Sequence, residues 1–196
     1  MERFVRLSRQ SRGGRAGVPR PPETAPGSPT RGRVRRHAAR FVAVACAGLM
    51  LACATADRTR ADLLSGILRD RAAHLRGEDA DEIARELVRA ERKTGIDALL
   101  LLAVAEEESR FRTRARSRRG ALGLMQVRPG TAREVAERNG IEWAGPDSLY
   151  EPSVNLLIGA TYLAELQVRF DSWDLALTAY NHGPTAARRA AGRGRN

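Results

Sequence analysis

Three consecutive glutamates, Glu106, Glu107 and Glu108, directly follow an apolar run that extends from Ile96 to Ala105. The run is long enough for nearly three helical turns, and its apolar residues cover almost the whole circumference of a helix. This predicts a helix in the middle of a domain. An acid at the C-terminal end of such a helix has apolar neighbours and lies near the negative pole of the helix dipole, and both conditions raise its pKa. A glutamic acid that keeps its proton near neutral pH can act as a general acid, whereas the alternative is a solvated helix end.

Helical periodicity predicts a different degree of burial for each of the three glutamates. At about 100° per residue, Glu107 falls nearest the centre of the face that carries Ile96, Leu100 and Phe111, while Glu108 lies about 80° away. Periodicity alone therefore predicts that Glu107 is the most buried of the three acids.

Three blocks of sequence follow in order from the acids. The first reads E-S-x-F from Glu108 and continues through G-A-x-G-L-M-Q to Ala132, the second reads N-L-x-x-G-A-x-Y-L from Asn155, and the third reads A-L-x-A-Y-N-x-G-P from Ala176. Together they closely resemble the signature of lytic transglycosylases of the soluble (SLT) type, which are lysozyme-like enzymes of the bacterial cell wall. The matches lie within residues 96–184, nearly half of the chain.

The resemblance implies an all-α, lysozyme-like catalytic domain over residues 96–184. It selects Glu108 as the catalytic acid, because this residue directly precedes Ser109 and stands three before Phe111, and it leaves Glu107 as the substitute candidate. By motif position it also implies a set of substrate-binding residues in which Tyr180 lies close to the acid. These are Ser117, Met125, Gln126, Ala179, Tyr180 and Asn181.

The chemistry implied by the resemblance is non-hydrolytic cleavage of the glycosidic bond between N-acetylmuramic acid and N-acetylglucosamine, with one glutamate as acid and then base. Glycosidases that use water normally need a second carboxylate across the bond. No second acid lies in the motif blocks, since Asp147, Glu151, Asp171 and Asp174 are all outside them. The alternatives are a goose-type lysozyme activity and a non-catalytic peptidoglycan-binding or secretion-accessory module. The expected partner is the glycan strand, bound by a monomer without nucleic acid.

The segment after the acids is strongly cationic and contains Arg110, Arg112, Arg114, Arg116, Arg118 and Arg119. If it is extended, the even-numbered arginines project to one side. They either attract an anionic wall polymer or the carboxylates of peptide stems, or they form a solvated loop. Arginines facing Glu108 would favour its charged form, so most are expected to point away from it. Gly123, farther along, is expected to have unusual dihedral angles where the backbone approaches a sugar.

Composition limits the remaining chemistry. Residues 1–40 hold eleven arginines against two glutamates, so +9 of the formal charge of +11 belongs to this segment. Both cysteines, Cys46 and Cys53, lie in one apolar segment, and the histidines show no ligand spacing, so we expect no disulfide, metal or cofactor in the domain.

The N-terminal part of the chain predicts export. Residues 1–40 form a Pro-, Gly- and Arg-rich leader expected to be disordered, and the lack of aromatic residues after Phe4 argues against a nucleic-acid-binding arm. Residues 41–56 include fourteen mostly apolar residues behind a basic flank, which is typical of a signal peptide and short for a membrane span. Cleavage before Asp57 or lipidation of Cys53 would place the protein in the periplasm or cell envelope, in the second case anchored to the membrane.

Helical patterns continue on both sides of the motif blocks. Residues 57–95 predict two helices, the first closing near Gly77 and the second capped by Asp79 or Asp81 and ending at Gly95, while Asp97 suits the opening turn of the next. Further helices are expected over residues 131–138, 150–166 and 175–179. Residues 185–196 form an Ala/Arg/Gly tail without the further helix usual in the family, so the C-terminus looks truncated or degenerate.

Overall fold

The computed structural model describes the backbone of residues 30–193 and the side chains of residues 51–193. The predicted leader up to residue 29 and the side chains of the apolar segment up to residue 50 lie outside the described residues. The described helices are α1 Thr30–Arg71, α2 Gly77–Thr94, α3 Ala98–Ser109, α4 Pro129–Asn139, a 3₁₀ turn Pro146–Tyr150, α5 Pro152–Phe170, α6 Trp173–His182 and α7 Pro184–Arg193. The described part of the chain contains no strand, only isolated bridges at Arg116–Leu122 and Leu122–Val127. The prediction of an all-α fold is confirmed.

The chain divides into two units, Met1–Cys46 and Ala47–Asn196, and the hydrophobic core belongs to the second. Over the described residues, no helix has both the length and the apolar character that crossing a bilayer requires. Cys53, the residue predicted as a lipidation site, is exposed.

The central pairing of the core is that of α2 with α5. Both helices carry apolar side chains that are almost completely removed from water. Examples are Ile83 and Leu87 of α2 and Leu156 and Ile158 of α5. Burial of this kind is the main favourable contribution to the stability of such a domain.

The apolar helix α3 packs against the core on one side only, so the prediction of a helix buried all round is wrong. Leu101, Leu102 and Ala105 are buried, whereas Leu99 is 45% exposed and Ala103 is also exposed. The apolar residues of α3 extend around more of the helix than the neighbouring helices cover. Only the covered side acts as the inner face.

The helix boundaries before α3 are partly as expected. Helix α1 ends at Arg71, and Gly77 begins α2 rather than closing the first helix. The N-cap of α2 is Arg76, so neither predicted aspartate caps it: Asp79 pairs with Arg76 from within the first turn, and Asp81 accepts hydrogen bonds from Ser65 and Arg69. The predicted end of α2 at Gly95 is confirmed, with this glycine in the left-handed region at φ 75°.

Asp97 is the N-cap of α3, where its carboxylate accepts a hydrogen bond from the Leu99 amide at 2.8 Å. An acid at this position satisfies an otherwise unpaired amide and complements the helix dipole. The expectation that Asp97 opens the helix is thus confirmed.

The chain after Pro184 forms an additional helix, α7, which the sequence interpretation of an Ala/Arg/Gly tail did not predict. Alanine and arginine are strong helix formers, and proline suits the first helical position. Ala187 is fully buried in a small cluster with Leu166, Ala176 and Ala179. The segment therefore packs on α5 and α6 through small side chains rather than through large apolar ones.

Candidate active site

Glu108 lies in the last turn of α3, immediately before the helix ends at Ser109. Arg110 and Phe111 both have positive φ, at 51° and 60°, which is uncommon for non-glycine residues and unusual for a bulky aromatic one. The Phe111 side chain is only 1% exposed, and its burial stabilises this turn. Backbone strain of this kind persists where the surrounding structure enforces it, as at functional sites.

The three glutamates occupy different environments. Glu106 forms an ion pair with Arg71 at 3.0 Å, Glu107 is exposed, and Glu108 is half-buried. The pKa of Glu108 is raised above its usual value, first by burial and second by the neighbouring charge of Glu107. The prediction from periodicity that Glu107 is the most buried acid is therefore wrong.

The packing side of α3 explains this difference. The inner side is set by Leu101, Val104 and Ala105, and Glu108 follows Leu101 by seven residues and Val104 by four. Residues at these spacings share one face of a helix. Glu108 thus continues the buried stripe of α3 toward its end.

The arginines that follow do not contribute to the pKa shift of Glu108. All six are exposed, and the causes of the shift are burial and Glu107. This agrees with the expectation that the arginines point away from the acid.

The chain from residue 112 to residue 127 folds into a compact loop beside α3. The Leu122 and Val127 amides and carbonyls exchange two hydrogen bonds of 3.0 and 3.1 Å, and the Gly123 amide donates to the Ala115 carbonyl at 2.9 Å. The Ser117 hydroxyl accepts from the Ala121 amide at 3.0 Å, so this side chain helps to shape the loop. Gln126 donates from its side-chain amide to the Gly123 carbonyl at 2.8 Å and the Ala115 carbonyl at 3.3 Å.

Asn155 of α5 holds this loop to the core. It is fully buried, and its side-chain oxygen accepts from the Met125 amide at 2.7 Å. Its side-chain nitrogen donates to the carbonyls of Leu122 and Leu149, both at 2.9 Å. The side chain thus pairs with the Met125 amide and the Leu149 carbonyl, and it adds a second hydrogen bond to the Leu122 carbonyl, which also accepts from the Val127 amide.

Two glycines allow the close approach of the loop to α5. Gly123 has φ +75°, as expected, and a Cβ there would overlap the Asn155 side chain and the Leu149 carbonyl. A Cβ at Gly159 of α5 would lie 2.6 Å from the Met125 sulfur. Each position admits only glycine without rearrangement of its neighbours.

Tyr180 of α6 also contacts this loop. Its hydroxyl donates a hydrogen bond to the Met125 carbonyl at 2.9 Å, and its ring lies against that of Tyr162 with centroids 5.5 Å apart. The pKa of Tyr180 is raised well above its usual value by burial, then by the charge of Glu108 and then by Tyr162. The fold therefore brings together an acid from α3, a main-chain carbonyl from the loop and a neutral tyrosine hydroxyl from α6.

The remaining residues predicted to bind substrate differ in how exposed they are. Met125 and Ala179 are fully buried, main-chain atoms included, so neither residue is exposed to a ligand in this structure. Ser117 and Gln126 are half-buried in the loop, and Asn181 is exposed next to Tyr180. In the part of the chain that the structure describes, no three His, Cys, Asp or Glu side chains converge as metal ligands would.

The sequence interpretation did not assign a role to Asn155 or Tyr162. Both lie in the second motif block, and Asn155 is a polar residue flanked by buried apolar positions of α5. That pattern is a usable signal, because a buried amide side chain needs hydrogen-bond partners. Identifying those partners required the tertiary structure.

The candidate site does not coincide with two cavities that lie elsewhere in the domain. A cavity of about 1000 Å³ is lined by residues of α1 and α2, and another of about 880 Å³ lies chiefly between α2 and α5. Glu108 lines neither of them. The site is identified by its protonation chemistry and loop geometry rather than by volume.

Comparison with known proteins gives a family match over the region that contains these residues. The family model described as the transglycosylase SLT domain matches residues 87–196. The chain is 38% identical over 89 residues to the soluble lytic murein transglycosylase of Salmonella typhimurium, covering 44% of this chain and 14% of that protein. It is 39% identical over 104 residues to the membrane-bound lytic murein transglycosylase C of Shigella sonnei, covering 48% of this chain and 29% of that protein.

Solved structures agree with these matches. An inactive Glu→Gln mutant of the lytic transglycosylase Slt from Pseudomonas aeruginosa aligns with a TM-score of 0.50 at 39% identity, over 53% of this chain and 17% of that one. The 70 kDa soluble lytic transglycosylase from Escherichia coli aligns with a TM-score of 0.54 at 26% identity, over 69% of this chain and 24% of that one. The chain thus spans less than a third of the length of these relatives. The expectation of a lysozyme-like helical fold is confirmed.

Proposed function

The chain belongs to the transglycosylase SLT domain family, and from this membership and the site geometry we propose that it is a peptidoglycan lytic transglycosylase with Glu108 as its catalytic residue. The observation that carries the proposal is the half-buried position of Glu108 and its raised pKa, caused by burial and by Glu107. A carboxylic acid that retains its proton closer to neutral pH can donate it to a leaving oxygen.

The first step is protonation of the glycosidic oxygen between N-acetylmuramic acid and N-acetylglucosamine by Glu108. The bond from that oxygen to the muramyl anomeric carbon breaks, and the acetamido group of the substrate stabilises the developing positive charge. In the second step the Glu108 carboxylate removes a proton from a muramyl hydroxyl, which attacks the anomeric carbon and closes an anhydro ring. The acid form of Glu108 is thereby restored, and no water is consumed.

This cycle requires one carboxylate, and the surroundings of Glu108 support that requirement. The acidic neighbour that influences its pKa is Glu107, which is adjacent in the chain and exposed, while Glu106 is paired with Arg71. A hydrolytic glycosidase would need a second carboxylate roughly 5–10 Å away across the bond.

Tyr180 supports the acid without exchanging a proton. Its strongly raised pKa keeps the hydroxyl neutral, and the hydroxyl proton is directed to the Met125 carbonyl. The oxygen lone pairs then remain available to accept a hydrogen bond. By motif position we assign sugar contacts to Ser117, Gln126, Tyr180 and Asn181, whereas Met125 and Ala179, which are fully buried, shape the site from within the core.

We place this activity in the cell envelope, where peptidoglycan lies. The apolar segment of residues 41–56 and the arginines before it act as an export signal, and exposed Cys53 is the position for lipidation if this signal is processed as that of a lipoprotein. Mass measurement of the protein recovered from bacterial membranes would distinguish an acylated Cys53 from a chain that begins at Asp57.

The activity is tested by digesting purified wall sacculi with the full chain and identifying the products by mass spectrometry. Anhydro-muramyl products are expected from the unmodified protein and from Glu107→Gln, and none from Glu108→Gln. If products disappear only with Glu107→Gln, Glu107 rather than Glu108 is the catalytic acid. Hydrated reducing ends would indicate a lysozyme, and a folded protein that yields no products would contradict the proposed activity.

A further inference from the structure

The segment from residue 109 to residue 133 has an unusual concentration of positive charge. It contains eight arginines and no aspartate or glutamate. We use the term arginine loop for residues 110–119, which carry Arg110, Arg112, Arg114, Arg116, Arg118 and Arg119. All six side chains are exposed, whereas Thr113, Ala115 and Ser117 between them are half-buried. The alternation places the charges on the solvent side of the loop.

These guanidinium groups differ from the eight described arginines elsewhere in the same unit that form ion pairs with carboxylates. Arg69, Arg71 and Arg92, for example, each pair with a carboxylate at 3.0 Å or less. Within the described residues, the arginine loop forms no ion pair with an acid of its own chain. Its charges are therefore available to an external anion.

The loop is held in place by several contacts. The Ala115 carbonyl accepts from the Gly123 amide at 2.9 Å and from the Gln126 side chain at 3.3 Å. The Arg114 guanidinium lies 5.5 Å from the centroid of the Tyr150 ring, within the range of a cation–π interaction. An ordered scaffold lowers the entropy lost when charged side chains bind a ligand.

The position of the loop relates it to the candidate site. It begins at Arg110, the C-cap of α3 two residues after Glu108, and continues into Met125, whose carbonyl accepts from Tyr180. The arginines do not lower the pKa of Glu108. The arginine loop thus lies beside Glu108, while its positively charged side chains extend into solvent.

We propose that the arginine loop binds the carboxylates of the peptide stems attached to the muramyl sugars of the glycan strand. The proposal rests on the proposed function, because it assumes that the strand lies along the site next to Glu108. Guanidinium groups bind carboxylates through paired hydrogen bonds, and a row of them suits a ligand with a carboxylate-bearing branch on every second sugar.

The test compares fluorescently labelled glycan strands of equal length with and without their peptide stems. Binding is measured by fluorescence anisotropy for the full chain carrying Glu108→Gln, which keeps the strands intact. The loop variant adds Arg112→Gln, Arg116→Gln and Arg118→Gln. The control adds Arg188→Gln, Arg189→Gln and Arg193→Gln, three exposed arginines of α7.

We expect the parent protein to bind stemmed strands about tenfold more tightly than bare strands, as the sum of several exposed ion pairs. The loop variant loses this preference, the α7 control keeps it, and about 0.5 M salt reduces it. Bare-strand affinity is equal in all three proteins. Circular dichroism confirms that each variant is folded.

Equal affinity of the parent for both strands would overturn the proposal, as would a loop variant that retains the preference. Loop-dependent binding to anionic lipid vesicles without stem preference would instead assign the surface to membranes. Failure of the proposed function can be distinguished from failure of this proposal. The first appears as an absence of products from the unmodified protein, whereas the binding measurement requires no turnover.

Discussion

The hydroxyl of Tyr180 donates a 2.9 Å hydrogen bond to the main-chain carbonyl of Met125, which lies 55 residues earlier in the chain. This contact links α6 to the loop that follows the acid-bearing helix α3. On the other side of the loop, the Met125 amide donates to Asn155 at 2.7 Å. Both main-chain polar groups of Met125 are thus held by side chains from other helices, and the position of the loop relative to Glu108 depends on them.

Replacement of Tyr180 by phenylalanine should reduce both stability and turnover. The substitution leaves the Met125 carbonyl without its partner, which costs about 1–2 kcal/mol of unfolding free energy. Tyr162→Phe is the matched control, since the Tyr162 ring packs against that of Tyr180 in a tilted arrangement but its hydroxyl forms no hydrogen bond in the described structure. Urea denaturation and product analysis on sacculi measure the two effects. Equal losses in both variants would show that the hydroxyl of Tyr180 has no particular role.

Replacement of Asn155 by alanine should be more damaging than a typical polar substitution. It removes the hydrogen-bond partner of the buried Met125 amide and of the Leu149 carbonyl, whereas the Leu122 carbonyl keeps its bond from the Val127 amide. The expected loss is about 3 kcal/mol or more of unfolding free energy. Asn139→Ala, at an exposed asparagine, should cost about 1 kcal/mol or less. Chemical denaturation compares them, and similar losses would contradict a clamping role for Asn155.

Two glycines of the loop allow the effect of backbone conformation on stability to be measured separately from the effect of steric overlap. Gly123 and Gly120 have nearly equal φ, 75° and 76°, but a Cβ at Gly123 would overlap Asn155 and Leu149, whereas a Cβ at Gly120 meets nothing within 4 Å. Gly120→Ala should therefore cost only the left-handed backbone penalty of about 1 kcal/mol. Gly123→Ala adds the clash and should lower the thermal midpoint much further. Similar midpoints for the two variants would show that the loop yields easily at Gly123.

The raised pKa of Glu108 predicts how stability depends on pH. The native state retains the proton more strongly than the unfolded chain, whose glutamate titrates near the ordinary value of 4.5. Unfolding free energy therefore falls as pH rises from that value through the native pKa. Glu108→Gln should raise the thermal midpoint at pH 7, and the gain should disappear below the unfolded pKa. A variant less stable than the parent at pH 7 would contradict the burial penalty.

The same group predicts the pH dependence of activity. In the proposed mechanism protonated Glu108 performs the first step, so turnover should fall as pH rises through its native pKa. The charge of Glu107 contributes to the shift, so Glu107→Gln should move this alkaline limb to lower pH. Rates measured across pH for the two proteins test this, and a limb that does not move would exclude coupling between the neighbouring acids.

The sequence determined the elements whose signals are local. The apolar run before the glutamates predicted the helix α3, Gly95 marked the end of α2, and Asp97 marked the next helix start. These features depend on propensity, capping and backbone freedom within a few residues. The motif blocks likewise led from the sequence to the family and to Glu108 as the candidate acid.

Tertiary structure alone decided which surfaces become buried. An apolar helix can present any side to the core, and the packing of α3 through Leu101 and Val104 placed Glu108 rather than Glu107 inside. The three hydrogen bonds of Asn155 join groups up to 33 residues apart, and the packing of α7 buries Ala187 among residues of α5 and α6. Such burial and pairing depend on neighbours distant in the chain, because the free energy of a polar or apolar group is set by what surrounds it after folding.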